Sequence, residues 1–122
     1  MTTELIRYPT PLPVPFSKAV RAGGMLYLSG VLAMDAQAQI IGKGVQEQTR
    51  IVLERIAATL AECGSAMDRV VKATVWLADL NDFADFNAEY AMHFAVALPA
   101  RSCVQAELYR GARVEIEVMA LA

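Results

Sequence analysis

The sequence predicts an α+β fold in which two helices pack on one face of a mostly antiparallel sheet, in the order β-β-α-β-α-β-β. Two segments repeat apolar residues every three or four positions, as helices do, and the segments around them alternate apolar and polar residues, as strands do. Apolar residues make up 56% of the chain and charged residues 20%, which is the balance of a globular protein. The length of 122 residues predicts one domain, covering residues 1–122.

The first predicted elements are an extended segment and a hairpin. Prolines at positions 9, 11, 13 and 15 force an extended backbone, which we expect to cross the surface before the first long strand. Residues 18–22 and 25–30 flank Gly23-Gly24, and both glycines can adopt the positive φ that a tight hairpin turn requires. Residues 31–44 are expected to form a short strand and a loop.

The middle of the chain predicts a helix, a strand and a second helix. The helix covers residues 45–63 and ends at Gly64. The strand covers residues 70–77, with one face formed by Val71, Ala73, Val75 and Leu77. The second helix begins near Asp82, a plausible N-cap. Its aromatic stripe, which we interpret as core packing, consists of Phe83, Phe86, Tyr90 and Phe94.

Two strands, over residues 101–107 and 113–121, are predicted at the end of the chain, with a turn around Gly111. Alternation places Arg101 and Cys103 on one face of the first strand, and it places Glu115 opposite the apolar face of the second. If these strands pair, the guanidinium, the thiol and the carboxylate can share one face. Arginine suits a substrate carboxylate, and a carboxylate can orient or deprotonate water. The alternative is an ordinary polar sheet surface.

Charge and motifs disfavour several classes of function. The net charge is −2, the isoelectric point is about 5.3 and the basic residues are scattered, so binding to nucleic acid or to an anionic membrane is not expected. Two cysteines and one histidine show no metal-ligand spacing. His93 is interpreted as a packed or surface residue. A signal peptide and an apolar run long enough to span a membrane are both absent, which predicts a cytoplasmic protein with reduced thiols.

Several motifs resemble those of the Rid family, the YjgF-type reactive-intermediate deaminases, and the likeness covers nearly the whole chain. The most specific motifs are Pro99-Ala100-Arg101-Ser102-Cys103-Val104 and Val114-Glu115-Ile116-Glu117. The others, in chain order, are Pro15-Phe16-Ser17-Lys18-Ala19-Val20, Leu28-Ser29-Gly30, Val71-Lys72-Ala73-Thr74-Val75, Leu80-Asn81-Asp82-Phe83 and Asn87.

The resemblance implies a chorismate-mutase-like fold that assembles as a homotrimer, with active sites in the clefts between subunits. It implies hydrolysis of enamines and imines such as 2-aminoacrylate to 2-keto acids and ammonia, without a metal or an organic cofactor. Arg101 would bind the substrate carboxylate, Glu115 would position the attacking water and Cys103 would line the pocket. The backbone of Ser29 and Gly30 would border the ligand, and Asn87 resembles an asparagine that either lies beside the pocket or has a structural role.

The chain departs from the family pattern at three places. Phe16 stands where many members have tyrosine, so a hydroxyl group that could contact substrate or water is missing. Arg55 stands where asparagine is common. The segment between Cys103 and Glu115 is one residue shorter than usual. We expect the turn over residues 107–112 to absorb this shortening, because a slip inside the strand would turn Glu115 to the other face.

Other functions remain open at this point. One is a pathway-specific deaminase that acts on an aminomuconate- or aminoacrylate-like intermediate, since Phe16 leaves room for a less polar substrate. Another is a trimer that binds small carboxylates without catalysis. A ribonuclease role, which has been attached to this family, is disfavoured by the acidic charge.

Overall fold

Six strands and two helices make up the computed structural model, which describes residues 4–95 and 97–122, so residues 1–3 and 96 of the predicted domain lie outside the description. The strands are β1 (Leu5–Tyr8), β2 (Ala19–Ala22), β3 (Met25–Leu28), β4 (Val70–Leu77), β5 (Ala100–Gln105) and β6 (Val114–Leu121). The helices are α1 (Gly44–Glu62) and α2 (Phe83–Phe94), and single 3₁₀ turns precede β4, α2 and β6.

The strands form one sheet in the order β1-β2-β3-β6-β4-β5. Every neighbouring pair is antiparallel except β4 and β5, which are parallel and are connected through α2. The predicted α+β class, the two helices and the mostly antiparallel sheet are therefore confirmed. The predicted element order omitted β1, whose four residues directly precede the proline-rich segment and pair with β2.

The last two strands do not pair, so the condition set out above for a shared face is not met, because β4 lies between β5 and β6. The connection from β5 to β6 crosses the end of β4, and backbone hydrogen bonds join this connection to the end of β4. Ala106 donates its N–H to the carbonyl of Leu77 at 3.0 Å, and Ala78 donates its N–H to the carbonyl of Arg113 at 3.0 Å. The eight residues after Gln105 are enough for the chain to step over one strand.

The core lies between one face of the sheet and the two helices. Its fully buried members include Val52, Leu53, Ile56 and Leu60 of α1 and Val114, Ile116, Val118 and Ala120 of β6. The alternation predicted for β6 is therefore confirmed. In β4 the prediction holds from Ala73 onward, but Val71 is 40% exposed and Val70 is buried in its place. A β-bulge between Val70 and Lys72 shifts the register and changes which side chain faces the core.

Glycines form the turn of the predicted hairpin and follow the end of the first helix, at the positions that the sequence indicated. Gly23 and Gly24 have φ angles of 57° and 78°, so the β2–β3 turn uses the left-handed backbone region that glycine adopts without strain. Gly64 has a φ of 81°, and the following residue, Ser65, donates its N–H to the carbonyl of Leu60 at 2.7 Å. This hydrogen bond closes the end of α1.

Candidate functional site

The first group of predicted site residues surrounds Glu115 on the side of the sheet away from the helices. Residue 31 pairs with β6, because the Val31 N–H donates to the carbonyl of Ile116 at 2.8 Å and the Ile116 N–H donates back at 3.2 Å. This bridge places Gly30 directly beside Glu115. A Cβ atom built on Gly30 would lie 3.1 Å from Cδ of Glu115 and closer still to Oε2. The absence of a side chain at position 30 therefore leaves the space that the carboxylate occupies.

Ser29 is held in place by the segment that precedes β2. Its hydroxyl donates a hydrogen bond to the carbonyl of Ser17 at 2.7 Å, and its N–H donates to the carbonyl of Lys18 at 3.1 Å. These two contacts fix the backbone that leads into Gly30, so the strip of backbone next to Glu115 has a defined position.

The pKa of the Glu115 carboxyl is raised above its ordinary value. The larger cause is burial, which disfavours the charged form, and the second is the negative charge of Glu117, two residues along the same strand. A raised pKa brings the carboxylate closer to the pH at which it can both accept and return a proton. Glu115 is therefore suited to proton transfer.

A cavity of about 460 Å³ reaches Gly30 from the side of α1. Predicted site residues Phe16, Ser29 and Gly30 line it, and the opposite wall is formed by Arg55, Ala58 and Thr59 of α1. Phe16 is 53% exposed and is one of the residues that line the cavity. Arg55 donates a hydrogen bond to the carbonyl of Met34, so the guanidinium is part of the wall.

The second group of predicted site residues lies at the edge strand β5. Nη1 of Arg101 donates a hydrogen bond to Oδ1 of Asn87 on α2 at 2.8 Å. The guanidinium carbon lies 4.8 Å from the ring centre of Tyr90, 5.4 Å from that of Phe86 and 5.5 Å from that of Phe83. Among the described residues, no carboxylate forms an ion pair with Arg101. Its positive charge is therefore available to an anionic ligand.

Cys103 lies two residues beyond Arg101 on the same face of β5 and is half-buried. Burial raises the pKa of its thiol, and the positive charge of Arg101 opposes that rise without cancelling it. The protonated thiol is thus favoured near neutral pH. This state suits a small side chain in the wall of a site better than a nucleophile.

The two groups lie on opposite faces of the sheet. In adjacent strands, residues that pair directly point to the same side. Ala73 pairs with both Arg101 and Val118, so Arg101 points to the side that the helices cover. Trp76 pairs with both Val104 and Glu115, so Glu115 points to the open side.

The guanidinium, the thiol and the carboxylate, which could share one face only if β5 and β6 paired, therefore do not share a face within a single chain. Alternation was read correctly within each strand, since Glu115 does lie opposite the apolar face of β6. A shared face required β5 to pair directly with β6, and β4 separates them. Their strands, β5 and β6, are two strand spacings apart, about 10 Å, and Arg101 and Glu115 also lie level with different residues of β4, Ala73 and Trp76.

Sequence reasoning missed the aromatic surroundings of Arg101 and the wall that α1 contributes to the cavity. The stripe on α2 was interpreted as core packing, which is confirmed for Phe86, Tyr90 and Phe94 but not for Phe83, which is 41% exposed. Its members at positions 83, 86 and 90 also face Arg101. The available signal was Asn87, a polar residue on the same helix face.

Three further expectations concern His93, metal binding and membrane spans. His93 contacts Oε2 of Glu89 at 2.7 Å within α2, in agreement with its interpretation as a packed residue. No cluster of three or more histidine, cysteine or acidic side chains suitable for a metal ion occurs in the described part of the chain. None of the described helices has the length and apolar character needed to cross a membrane.

Comparison with known proteins gives consistent matches over nearly the whole chain. The family model described as endoribonuclease L-PSP matches residues 9–122. The 2-iminobutanoate/2-iminopropanoate deaminase of Bos taurus is 43% identical over 109 residues, covering 88% of this chain and 80% of the relative. The structure of RidA from an Antarctic Psychrobacter superimposes with a TM-score of 0.84 at 33% identity, covering 95% of this chain and 94% of that one.

A second solved structure is similar to the same degree. TdcF of E. coli, solved with bound serine, superimposes with a TM-score of 0.83 at 34% identity, and the match covers 95% of this chain and 94% of TdcF. The matching motifs, the shared fold and these identities agree with one another. The chain belongs to the endoribonuclease L-PSP family, which is the YjgF/Rid family.

Proposed function

We propose that the protein hydrolyses 2-imino acids and their enamine tautomers to 2-keto acids and ammonia. The observation that carries the proposal is the Arg101 guanidinium, which is half-buried, is oriented by Asn87 and forms no ion pair with a carboxylate of a described residue. Such a group is suited to a substrate carboxylate, because its planar fork donates two parallel hydrogen bonds. Relatives named as deaminases of 2-iminobutanoate and 2-iminopropanoate support this class of substrate.

In the proposed reaction, Arg101 holds the carboxylate while Glu115 accepts a proton from a water molecule. The water oxygen bonds to the imine carbon and the C=N π electrons move to nitrogen, which gives a carbinolamine. Glu115 returns this proton to the nitrogen, then takes the hydroxyl proton of the carbinolamine and passes it to the nitrogen as well, so that the C–N bond breaks, ammonia leaves and the C=O bond of the keto acid forms. The imine carbon is already electrophilic, so orientation of substrate and water supplies much of the acceleration.

The complete site is proposed to lie between two copies of the chain in a homotrimer. Support comes from the placement of Arg101, Cys103 and Asn87 on one side of the sheet and of Glu115, Ser29 and Gly30 on the other. A cyclic assembly brings one surface of each subunit against a different surface of its neighbour, and it could therefore bring the two groups together. Phe16 and the cavity beside Gly30 would then accommodate the substrate's side chain.

The test is keto-acid formation from an imine generated in the assay by an amino-acid oxidase or a dehydratase. We expect the wild-type protein to accelerate it and Arg101→Ala to lose roughly 10- to 100-fold in kcat/KM, the loss expected when a charged hydrogen bond is removed. Both proteins should melt at similar temperatures, because Arg101 is not part of the apolar core. Retained activity in the variant would contradict the carboxylate role. Binding of 2-oxobutanoate without turnover in the wild type would instead favour a non-catalytic binding protein.

A further inference from the structure

The guanidinium of Arg101 faces three aromatic rings and a single amide. Phe83, Phe86 and Tyr90 stand at spacings of three and four along α2, which places them on one side of that helix. Asn87 stands among them and supplies the hydrogen bond. We refer to these three aromatic side chains as the aromatic cage.

The effect of an aromatic cage on a bound cation differs from the effect of a carboxylate partner on the same cation. The ring faces attract the guanidinium through their quadrupole, and they restrict its rotation without cancelling its charge. A carboxylate partner would also orient the arginine, but it would compete with a substrate carboxylate for the same N–H groups. The cage therefore fixes the orientation of the Arg101 guanidinium and leaves its positive charge available to a ligand.

The three rings differ in how they are supported. Phe86 is fully buried and Tyr90 is 5% exposed, and their ring centres lie 5.3 Å apart. Tyr90 is also packed against Phe94, at 4.7 Å between ring centres. Phe83 is 41% exposed and forms the outer wall of the cage. A change at Phe83 can therefore alter the cage while leaving the core in place.

The hydroxyl of Tyr90 is buried and has no hydrogen-bond partner among the described residues. The ring of Tyr90, and not its hydroxyl, makes the contact with Arg101. Phenylalanine at this position would keep the ring and remove the unpaired hydroxyl, which makes Tyr90→Phe a control for the cage.

We propose that Phe83, Phe86 and Tyr90 are positioning residues that hold the Arg101 guanidinium in the orientation needed to bind a substrate carboxylate. This inference rests on the proposed function for its consequence in catalysis. The orientation of the arginine itself is a property of the protein alone and can be measured without any substrate.

The first measurement is the rotation rate of the Arg101 guanidinium about its Cζ–Nε bond, by ¹⁵N NMR, with the signal assigned by its loss in Arg101→Lys. We expect rotation about two- to fivefold faster in Phe83→Leu, since one exposed cation–π contact is lost, and unchanged in Phe83→Tyr and Tyr90→Phe, which keep the rings. Equal rates in Phe83→Leu and wild type, or equally altered rates in Phe83→Leu and Phe83→Tyr, would overturn the proposal.

The second measurement is the affinity for 2-oxobutanoate together with kcat and KM for imine hydrolysis. We expect Phe83→Leu to weaken 2-oxobutanoate binding and raise KM by about two- to fivefold, with Phe83→Tyr restoring both values. A change in kcat alone would count against a positioning role. If the wild type neither binds 2-oxobutanoate nor hydrolyses imines, the proposed function fails, and the rotation rates alone decide whether the cage holds Arg101.

Discussion

Glu115 lies on the open face of the sheet with Glu117 on the same strand and on the same side. Both burial and the Glu117 charge raise its pKa, so the group releases its proton at a higher pH than an ordinary glutamate. If Glu115 accepts a proton from water in the reaction, activity requires its ionised form. The fall in kcat/KM at low pH should therefore follow the protonation of Glu115.

We expect kcat/KM to fall as the pH decreases through the raised pKa of Glu115. In Glu117→Gln the charge that contributes to the rise is absent, so the acid limb should shift to lower pH while the plateau stays close to that of the wild type. Measured pH profiles of kcat/KM for the two proteins check this. An acid limb at the same pH in both would show that Glu117 does not influence the group that titrates.

Glu115→Gln should affect activity and stability in opposite directions. Turnover is expected to fall by about 10²- to 10⁴-fold, the usual contribution of a general base, with 2-oxobutanoate binding largely retained. A carboxyl whose pKa is raised by folding favours the folded state below its unfolded pKa and loses that contribution as the pH rises through the folded pKa. The variant should therefore be more stable than the wild type at neutral pH and equally stable below the pKa of an unfolded glutamate.

Denaturant unfolding of Glu115→Gln and wild type at both pH values measures this difference. A variant less stable than the wild type at neutral pH would mean that the ionised carboxylate makes favourable contacts that outweigh its burial. Such a result would remove the physical reason for the raised pKa.

At the scale of single elements, α1 contributes residues both to the apolar core and to the lining of the cavity. Leu53 is fully buried on its inner side, and Gln46 is exposed near its start. Leu53→Ala should lower the free energy of unfolding by about 2–5 kcal/mol, through lost apolar contact and the cavity left behind. Gln46→Ala should change it by less than about 0.5 kcal/mol. Urea denaturation of both variants provides the comparison, and equal values would contradict the core position of Leu53.

The extent of α1, the start of α2 and the extent of most strands could be predicted from the sequence, because periodicity and terminal glycines are local signals. α1 and α2 begin within one residue of their predicted starts, and β4 has its predicted bounds. The exposure of Val71 could not be predicted, because a bulge depends on the partner strand. The aromatic cage was missed for a related reason, since a stripe that packs in the core and one that also contacts an arginine have the same spacing.

Strand order was the part of the fold that alternation could not supply. Alternation relates residues within one strand, and Arg101 and Glu115 were each assigned to the correct side of their own strand. Whether two strands share a face depends on which strand separates them and in which register. The insertion of β4 between β5 and β6 therefore separated two residues that the sequence had suggested as neighbours.

At the scale of the whole molecule, the separation of the two groups gives a test that uses two impaired variants, each of which lacks one of the two side chains. Arg101→Ala retains Glu115, and Glu115→Gln retains Arg101. If each site takes Glu115 from one subunit and Arg101 from the next, random trimers of an equal mixture should contain intact sites. About one quarter of wild-type activity should return, since each site needs one particular combination of two chains in a cyclic assembly.

The two variants should be unfolded and refolded together to exchange subunits, with each refolded alone as the control. Sedimentation should give a mass of about 40 kDa for every sample, three times the chain mass of 13.2 kDa. A mixture as inactive as its components, at the trimer mass, would show that the two side chains do not act together across an interface.

Gly30 has an evolutionary consequence. Its φ lies outside the positive range that favours glycine, and the three atoms nearest to a Cβ built at this position all belong to the Glu115 side chain. The residues at positions 30 and 115 are therefore expected to change together in evolution, because the side chain at one position limits the side chain at the other. In relatives where a shorter side chain replaces the glutamate at position 115, position 30 can accept residues other than glycine. In relatives that keep the glutamate, we expect position 30 to remain glycine. Among distant relatives, the residue at position 30 should therefore indicate whether a long acidic side chain is present beside it.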